Sequence, residues 1–169
     1  LPVFLGAEGP KNVALAAEIC DGWLPLYYSP FRNDVYAASL SNAKPGFEVM
    51  QGVVIKITDD MDAGLRPIKE MLALYVGGMG ARDKNFYNDH VSRQGWPDAA
   101  KKIQDLYLGG QKNDAVAAVP DDLCDAVCLL GPKERIRDQL GAWKHSPATT
   151  LILQGPNRKT METLAELCL

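Results

Sequence analysis

The sequence has few cysteines, no long hydrophobic run and no excess of positive charge. Its 4 cysteines in 169 residues are too few and too widely spaced for the disulfide framework of a secreted domain, and no signal-peptide pattern is present. The longest apolar runs, residues 71–76 and 127–130, are far shorter than the roughly 20 residues that span a bilayer. The 18 lysines and arginines against 21 acidic residues give a net charge of −3, which offers no basic patch to nucleic acid or an anionic membrane. These absences predict a cytoplasmic protein without nucleic-acid or membrane partners, whose small-molecule substrate is held at a local site.

Histidine is also scarce, and neither histidine stands in a recognisable catalytic pattern. His90 and His145 are the only 2 in the sequence, and no acid–histidine–nucleophile arrangement can be identified around them. Cys124 and Cys128 lie four residues apart, but no second pair at zinc spacing accompanies them. We therefore expect packing roles for these residues and no metal site, and the catalytic residues stay unknown at this level.

The remaining composition is that of an ordinary globular protein, with 47 % hydrophobic and 23 % charged residues. The length favours one domain or a piece of a larger one. Leu1 opens directly on an apolar run, without an initiator methionine or a lead-in, which is typical of a fragment. We expect residues 1–169 to be part of a single domain.

Short runs rich in β-branched and apolar residues alternate with patterns typical of helices. The predicted strands are residues 3–5, 23–26, 47–57 and 149–153. The predicted helices are residues 11–20, 31–40, 61–76, 84–94, 97–108, 114–119, 132–144 and 158–168. This order predicts an α/β fold with a parallel sheet and a helical insertion at about 77–146, before the last strand. Four strands fit either an open sheet or half of a closed (β/α)8 barrel. A complete barrel needs about 250 residues, more than this sequence has.

The loop after the first predicted strand is the best candidate for a ligand site. Small residues at Gly6, Ala7 and Gly9 let backbone N–H groups approach an anion closely, and the next helix points the positive end of its dipole there. Lys11 and Asn12 add a cation and an amide in the first helical turn. A phosphate group is the natural ligand of such a loop. The alternative is a tight turn whose glycines serve only the backbone.

Three other patterns limit the possible functions. The loop lacks the dinucleotide-binding fingerprint, because Glu8 stands where a second glycine is needed. Residues 77–80 (GGMG) look like a phosphate loop but are more typical of the end of one helix and the start of another. Trp23, Tyr27 and Tyr28 gather at the end of the second predicted strand, where they can line a substrate pocket or pack in the core.

Five stretches match one known family over essentially the whole chain. They are residues 2–12 (PVFLGAEGPKN), 16–25 (AAEICDGWLP), 74–83 (LYVGGMGARD), 130–140 (LGPKERIRDQL) and 149–153 (TTLIL). In these stretches the sequence resembles the C-terminal half of luciferase-like flavin and deazaflavin oxidoreductases, specifically their coenzyme F420-dependent branch. The resemblance implies the C-terminal half of a luciferase-like (β/α)8 TIM barrel, with a helical insertion before the last strand. It also implies that the complete protein forms a homodimer.

The resemblance further implies hydride transfer between coenzyme F420 and a small organic substrate, with the catalytic residues in the missing first half. The residues expected at the cofactor's phosphate and tail are Ala7, Glu8, Gly9, Lys11 and Asn12. The residues expected to contact substrate are Leu26, Tyr28 and Ser29, which favour an apolar substrate over a sugar phosphate. Two alternatives are an FMN-dependent luciferase-like monooxygenase and a non-catalytic truncated half-barrel.

Overall fold

The computed structural model describes residues 1–168, in which short parallel strands alternate with helices. The strands are β1 (Phe4–Gly6), β2 (Gly22–Leu24), β3 (Glu48–Ile57), β4 (Cys128–Gly131) and β5 (Thr150–Gln154). The helices are α1 (Pro10–Ile19), α2 (Asp34–Leu40), α3 (Met61–Ala73), α4 (Phe86–Arg93), α5 (Pro97–Leu108), α6 (Lys112–Ala117), α7 (Asp121–Val127), α8 (Lys133–Lys144) and α9 (Arg158–Cys168), with a π-helical turn, Leu74–Gly78, after α3. None of these helices is long and apolar enough to cross a membrane.

The long strand β3 organises the sheet, and all its neighbours run parallel to it. Val54 pairs with both β4 and β5, so these two strands lie on opposite edges of β3. The amide of Glu48 donates to the carbonyl of Asp21 beside β2, and the amide of Thr58 donates to the carbonyl of Gly131 in β4. Because backbone groups alternate between the two edges of a strand, these even-numbered amides face the same edge. β4 therefore lies beyond the carboxyl end of β2 on that edge, and the predicted parallel α/β sheet is confirmed.

The prediction that only helices lie between residues 77 and 146 is wrong. Cys128–Gly131 forms β4, whose four residues are all buried, and the unpredicted helix α7 precedes it. The reason is that a short, wholly apolar run has no period-two alternation and cannot be told from a buried helical segment. The purely helical part of the insertion ends at Val127.

The sheet separates two hydrophobic cores. The outer core packs α1, α2, α8 and α9 against one face, with Val13, Trp23, Tyr36, Val49, Val53, Ile55, Ile136, Leu140 and Leu164 among its buried residues. The insertion core packs α3 to α7 at the carboxyl end of the other face, with Leu65, Ile68, Leu72, Ile103, Leu123, Val127 and Leu130 among its buried residues. Leu129 and Leu130 fall in different cores, as alternating side chains of a strand must.

Two sequence features that conflict with regular helices have local explanations. Pro67 lies inside α3 and cannot donate to the carbonyl of Ala63, one turn earlier. The ammonium group of Lys56 donates to that carbonyl instead, at 3.4 Å, so the predicted helix forms despite the proline. Gly77 and Gly78 lie where a Cβ atom would come within 2.5 Å and 2.4 Å of Tyr107 in α5. These glycines end a helical segment, as predicted, and α5 packs directly against their backbone.

Replacement of Gly22 by alanine is expected to destabilise the fold by about 2 kcal/mol, through overpacking. A Cβ atom there would lie 2.3 Å from the ring of Phe4 in β1 and 2.6 Å from the carbonyl oxygen of Glu48 in β3. Gly22, in β2, thus lies where three strands pack closely together. Urea unfolding of the whole protein measures the change. Gly141→Ala in α8 is the control, because its Cβ would meet no described atom within 4 Å and alanine favours a helix. Equal unfolding free energies of the two variants would contradict the expected crowding.

Candidate functional site

A cavity of about 420 Å³ opens at the carboxyl ends of β1 and β2. It is lined by Gly6, Ala7, Glu8, Gly9, Asn12, Leu24, Leu26, Phe86 and Tyr87. The cavity thus brings together four of the five residues predicted to hold the cofactor. Lys11, the fifth, lies exposed on the first turn of α1. Leu26, predicted to contact substrate, lies in the same cavity.

Gly9 forms the entrance to α1, and its backbone does not require glycine. Its φ of −82° and ψ of 137° are ordinary extended values, and an added Cβ would meet no described atom within 4 Å. The explanation that this glycine serves only a tight turn is therefore not supported. No described side chain caps α1, no acidic residue lies in its first turn, and Pro10 contributes no N–H group. The positive end of the helix dipole faces open space at Gly9, which is what an anion site needs.

The carbonyl groups of the loop are held by side chains from inside the protein. The indole N–H of Trp23 donates to the carbonyl of Ala7 at 2.7 Å. The hydroxyl of Tyr36 and the guanidinium of Arg93 donate to the carbonyl of Glu8 at 2.7 Å and 2.8 Å. The described peptide bonds are all trans, so the next amide in each case points the opposite way. The N–H groups of Glu8 and Gly9 are thereby directed away from the buried donors.

The carboxyl group of Glu8 is turned into the protein, with its side chain only 12 % exposed. Oε1 accepts a hydrogen bond from the amide of Leu26 at 2.9 Å, which joins the loop to the end of β2. Oε2 is buried and has no hydrogen-bond partner among the described residues. Burial raises the pKa of Glu8 to about 8, although the Leu26 amide and the Arg93 charge act in the opposite direction. Glu8 is therefore mostly protonated at neutral pH and puts no full negative charge beside the open end of α1.

His90 of α4 lies next to Glu8, but the two do not form an ion pair. The imidazole is fully buried, and burial lowers the pKa of His90 to about 4. Its Nδ1 is 3.5 Å from Oε2 of Glu8 but only 2.6 Å from the hydroxyl of Tyr36. Both groups are mostly neutral at pH 7, because for each of them burial outweighs the interactions that favour its charged form.

Tyr28 and Ser29, predicted to contact substrate, do not line the cavity. Tyr28 is 1 % exposed within the outer core, and its hydroxyl donates to Asn33 at 2.5 Å. Ser29 is fully buried; its amide donates to the side chain of Gln94, and its hydroxyl accepts from the amide of Phe31. Both residues hold the β2–α2 connection, and their burial leaves them no surface for a substrate in this structure. No sequence signal indicates that the chain turns into the protein interior after Leu26.

A second, more enclosed cavity of about 110 Å³ lies on the other side of Leu26. It is lined by Leu26, Tyr27, Gly52, Val54, Ile68, Met71, Tyr75, Val127, Cys128 and Gln154. None of these side chains is charged. Tyr75 links the two cavities, since its ring packs edge-on against Tyr27 at 5.3 Å and against Tyr87 at 4.9 Å. Tyr27 takes a left-handed φ of 59°, which carries its ring into the insertion core.

Several residues of the site were missed by the sequence analysis. Phe86 and Tyr87 begin α4, and Phe86 is 69 % exposed at the cavity rim. His90 and Arg93, from the same helix, reach the loop from within. No local signal marks these residues, because they meet the loop only through the packing of the insertion.

The described part of the chain holds no cluster of metal-ligating side chains, and three of its four cysteines are buried. Within residues 1–168, no three His, Cys, Asp or Glu side chains come together as metal ligands would. Cys124 and Cys128 are buried, as predicted, and burial raises the pKa of the Cys124 thiol to about 12.

Parallel strands that alternate with helices, with a cavity at their carboxyl ends, define this chain as an α/β protein. The sequence profile of the luciferase-like monooxygenase family matches residues 1–150, and the chain belongs to that family.

Two curated relatives extend this assignment. A Mycobacterium tuberculosis protein that bears the name of a coenzyme F420-dependent oxidoreductase is 39 % identical over 176 aligned residues, which cover 99 % of this chain and 51 % of the relative. The 5,10-methylenetetrahydromethanopterin reductase of Archaeoglobus fulgidus is 19 % identical over 164 residues, covering 92 % of this chain and 48 % of that protein. The chain therefore spans about half the length of the curated relatives it matches.

Two solved structures also match this chain over about half of their own length. The coenzyme F420-dependent tetrahydromethanopterin reductase of Methanopyrus kandleri has a TM-score of 0.69 at 21 % identity, covering 99 % of this chain and 48 % of that one. An F420-dependent secondary alcohol dehydrogenase, solved with an F420-acetone adduct, has a TM-score of 0.56 at 15 % identity, with coverage of 99 % and 48 %. These matches confirm the predicted fold class, part of a luciferase-like barrel.

Proposed function

We propose that this chain is the part of an F420-dependent oxidoreductase that holds the cofactor's phosphate group. The observation that carries the proposal is the open N-terminus of α1 at Gly9, facing a cavity of about 420 Å³. The names of both curated relatives and of both structural neighbours describe F420-dependent or methanopterin-linked redox enzymes, which supports F420 over FMN. The FMN-dependent alternative has no such support.

The residues present fit a phosphate-bearing cofactor. The amides of Glu8 and Gly9 would hold the phosphate, and Asn12 would add a side-chain amide from the first turn of α1. Lys11 contributes a positive charge from the exposed side, and the protonated Glu8 adds no repulsion. Ala7 lets the backbone approach closely. Bound F420 would supply the hydride chemistry. This chain would bind and orient the cofactor and exclude water from it.

We also propose that Leu26 separates the cofactor from a small, uncharged substrate. Leu26 lines both cavities, and the smaller one is lined by uncharged side chains, with Tyr27 and Tyr75 offering phenol groups. A phosphorylated sugar would find no cation there. The catalytic residues, a homodimer of the complete protein and a cytoplasmic location stay predictions.

Gly9→Asp is expected to weaken F420 binding by about 10-fold or more while leaving the fold intact. The new carboxylate would occupy the N-cap position and repel the phosphate from the helix end. An N-cap aspartate also favours the helix by a few tenths of a kcal/mol, so stability and affinity should change in opposite directions. Fluorescence titration of F420 into the whole protein measures the affinity, and thermal unfolding measures the stability.

Gly9→Ala is the matched control, because a methyl group at this position meets open space. It should bind F420 nearly as well as the parent protein. Unchanged affinity in Gly9→Asp would overturn the phosphate-loop assignment. A large loss of stability in both variants would instead support the alternative of a turn that needs glycine.

A further inference from the structure

A continuous chain of buried hydrogen bonds runs from the β2–α2 connection to the candidate cofactor loop through α4. It begins at the amide of Ser29, which donates to Oε1 of Gln94 at 2.6 Å. This bond fixes which end of the Gln94 side chain is the oxygen. The Gln94 nitrogen then lies 2.7 Å from the carbonyl of Tyr27 and 2.9 Å from Nε2 of His90, and it has one hydrogen for each.

The direction of this chain selects the tautomer of His90. Because Nε2 accepts from Gln94, the ring hydrogen sits on Nδ1 and is donated to the hydroxyl oxygen of Tyr36 at 2.6 Å. The Tyr36 hydrogen is then free for the carbonyl of Glu8 at 2.7 Å. The opposite tautomer would let Nε2 donate to Tyr27, 3.0 Å away, but it would set two donors, His90 and Gln94, only 2.9 Å apart. The neutral Nδ1–H form gives every donor of the network an acceptor, although it leaves Nε2 and the Tyr27 carbonyl, both acceptors, 3.0 Å apart.

We propose that His90 and Tyr36 are positioning residues for the cofactor loop, so that α4 of the insertion sets the loop's affinity for a phosphate-bearing ligand. The proposal rests on the proposed function. Tyr36 fixes the carbonyl of Glu8, and the trans peptide then directs the amide of Gly9 to the opposite side. No local interaction within the loop does this, since its carbonyls are held by side chains from β2, α2 and α4. Preorganised amides bind an anion without the cost of ordering the loop.

The groups that face this chain agree with a neutral His90. Burial and then the charge of Arg93, on the same helix, lower the pKa of His90, although the backbone carbonyls of Tyr27 and Leu26 act in the opposite direction. Glu8 faces Nδ1 from the loop at 3.5 Å but is itself held mostly protonated by burial. Tyr27 and Tyr36 face the ring from the β2–α2 connection and from α2 and stay neutral. Arg93 also donates to the Glu8 carbonyl, so the loss of Tyr36 leaves one of two donors.

The first test is Tyr36→Phe in the whole protein, titrated with F420 and with a deazaflavin that lacks the phosphate. Removal of one hydrogen bond should raise the Kd for F420 about 3- to 10-fold, with little change for the phosphate-free deazaflavin. Ile103→Val in the insertion core is the control for general destabilisation, because Ile103 is fully buried but takes no part in the hydrogen-bond chain. Its affinity for both ligands should match that of the parent protein. An equal loss for both deazaflavins, or no loss for either, would overturn the positioning role.

The second test is independent of the cofactor and reads the His90 nitrogens by ¹⁵N NMR. In the parent protein, the expected signature is a neutral ring with hydrogen on Nδ1 throughout pH 6–8. In Tyr36→Phe the ¹⁵N shift of Nδ1 should change, because this nitrogen loses its hydrogen-bond partner. A ring with hydrogen on Nε2 would refute the direction of the chain. Failure of the parent protein to bind either deazaflavin would overturn the proposed function, whereas normal F420 binding with an unaltered Kd in Tyr36→Phe would overturn only the positioning role.

Discussion

Glu8→Gln is expected to raise the free energy of unfolding by about 3 kcal/mol at pH 7. Burial moves the pKa of Glu8 from its ordinary value of 4.5 to about 8, so folding at pH 7 requires the carboxylate to take up a proton. Glutamine has nearly the same shape, carries no charge, and keeps an oxygen for the amide of Leu26. The variant therefore avoids the cost of protonation without losing the bond that joins the loop to β2.

The sign of the effect depends on pH in a defined way. Between pH 4.5 and 8 the folded state holds a proton on Glu8 that the unfolded chain has released, so stability falls by roughly 1.4 kcal/mol per pH unit from this group. Below pH 4.5 the difference between Glu8→Gln and the parent protein should vanish, and above pH 8 it should be constant. His90 acts oppositely: its pKa falls from 6.5 to about 4, so it lowers stability as pH falls through that range. The two contributions oppose each other between pH 4.5 and 6.5.

Urea unfolding of the whole protein from pH 4 to 9 measures this difference. Glu18→Gln on the exposed side of α1 is the matched control and should change stability by no more than about 0.5 kcal/mol at any pH. A Glu8→Gln variant less stable than the parent protein at pH 7 would mean that the folded state stabilises the Glu8 carboxylate instead of keeping it protonated. The proposal that Glu8 adds no repulsion to a bound phosphate would then be wrong as well.

Trp23→Ala is expected to cost about 4 kcal/mol of stability, because Trp23 fills the centre of the outer core. The indole is fully buried, with Tyr36 at 5.0 Å and Tyr28 at 5.7 Å between ring centroids. Its N–H group also holds the carbonyl of Ala7, so the substitution removes packing and one of the contacts that shape the loop. Chemical denaturation of the whole protein provides the measurement.

Trp23→Phe separates these two contributions. It retains most of the ring packing but leaves the carbonyl of Ala7 without its donor, which costs about 1–3 kcal/mol. The affinity of Trp23→Phe for F420 should also fall, because the indole N–H no longer holds the carbonyl of Ala7 in the loop. A cost below about 2 kcal/mol for Trp23→Ala would show that the outer core does not depend on this residue.

The position of the loop between β1 and α1 could be predicted from the sequence because its signals are local. Gly9 and Pro10 mark a helix start with room in front of it, and Asn12 lies in the first turn of the same helix. For the same reason the parallel sheet and most helices were predicted, since strand and helix patterns need only neighbouring residues. The apolar strand β4 was missed because its four residues have no pattern of their own, only burial between two cores.

The sequence by itself determined the family, the α/β alternation and the position of the loop at the start of α1. Only the tertiary structure decided which way the side chains turn: Tyr28 and Ser29 are buried, whereas Phe86 reaches the cavity from the insertion. It also decided the protonation of Glu8 and the tautomer of His90, which are far apart in the chain. The physical reason is that desolvation and hydrogen-bond direction depend on every neighbour in space, whereas strand and helix patterns depend on neighbours in sequence.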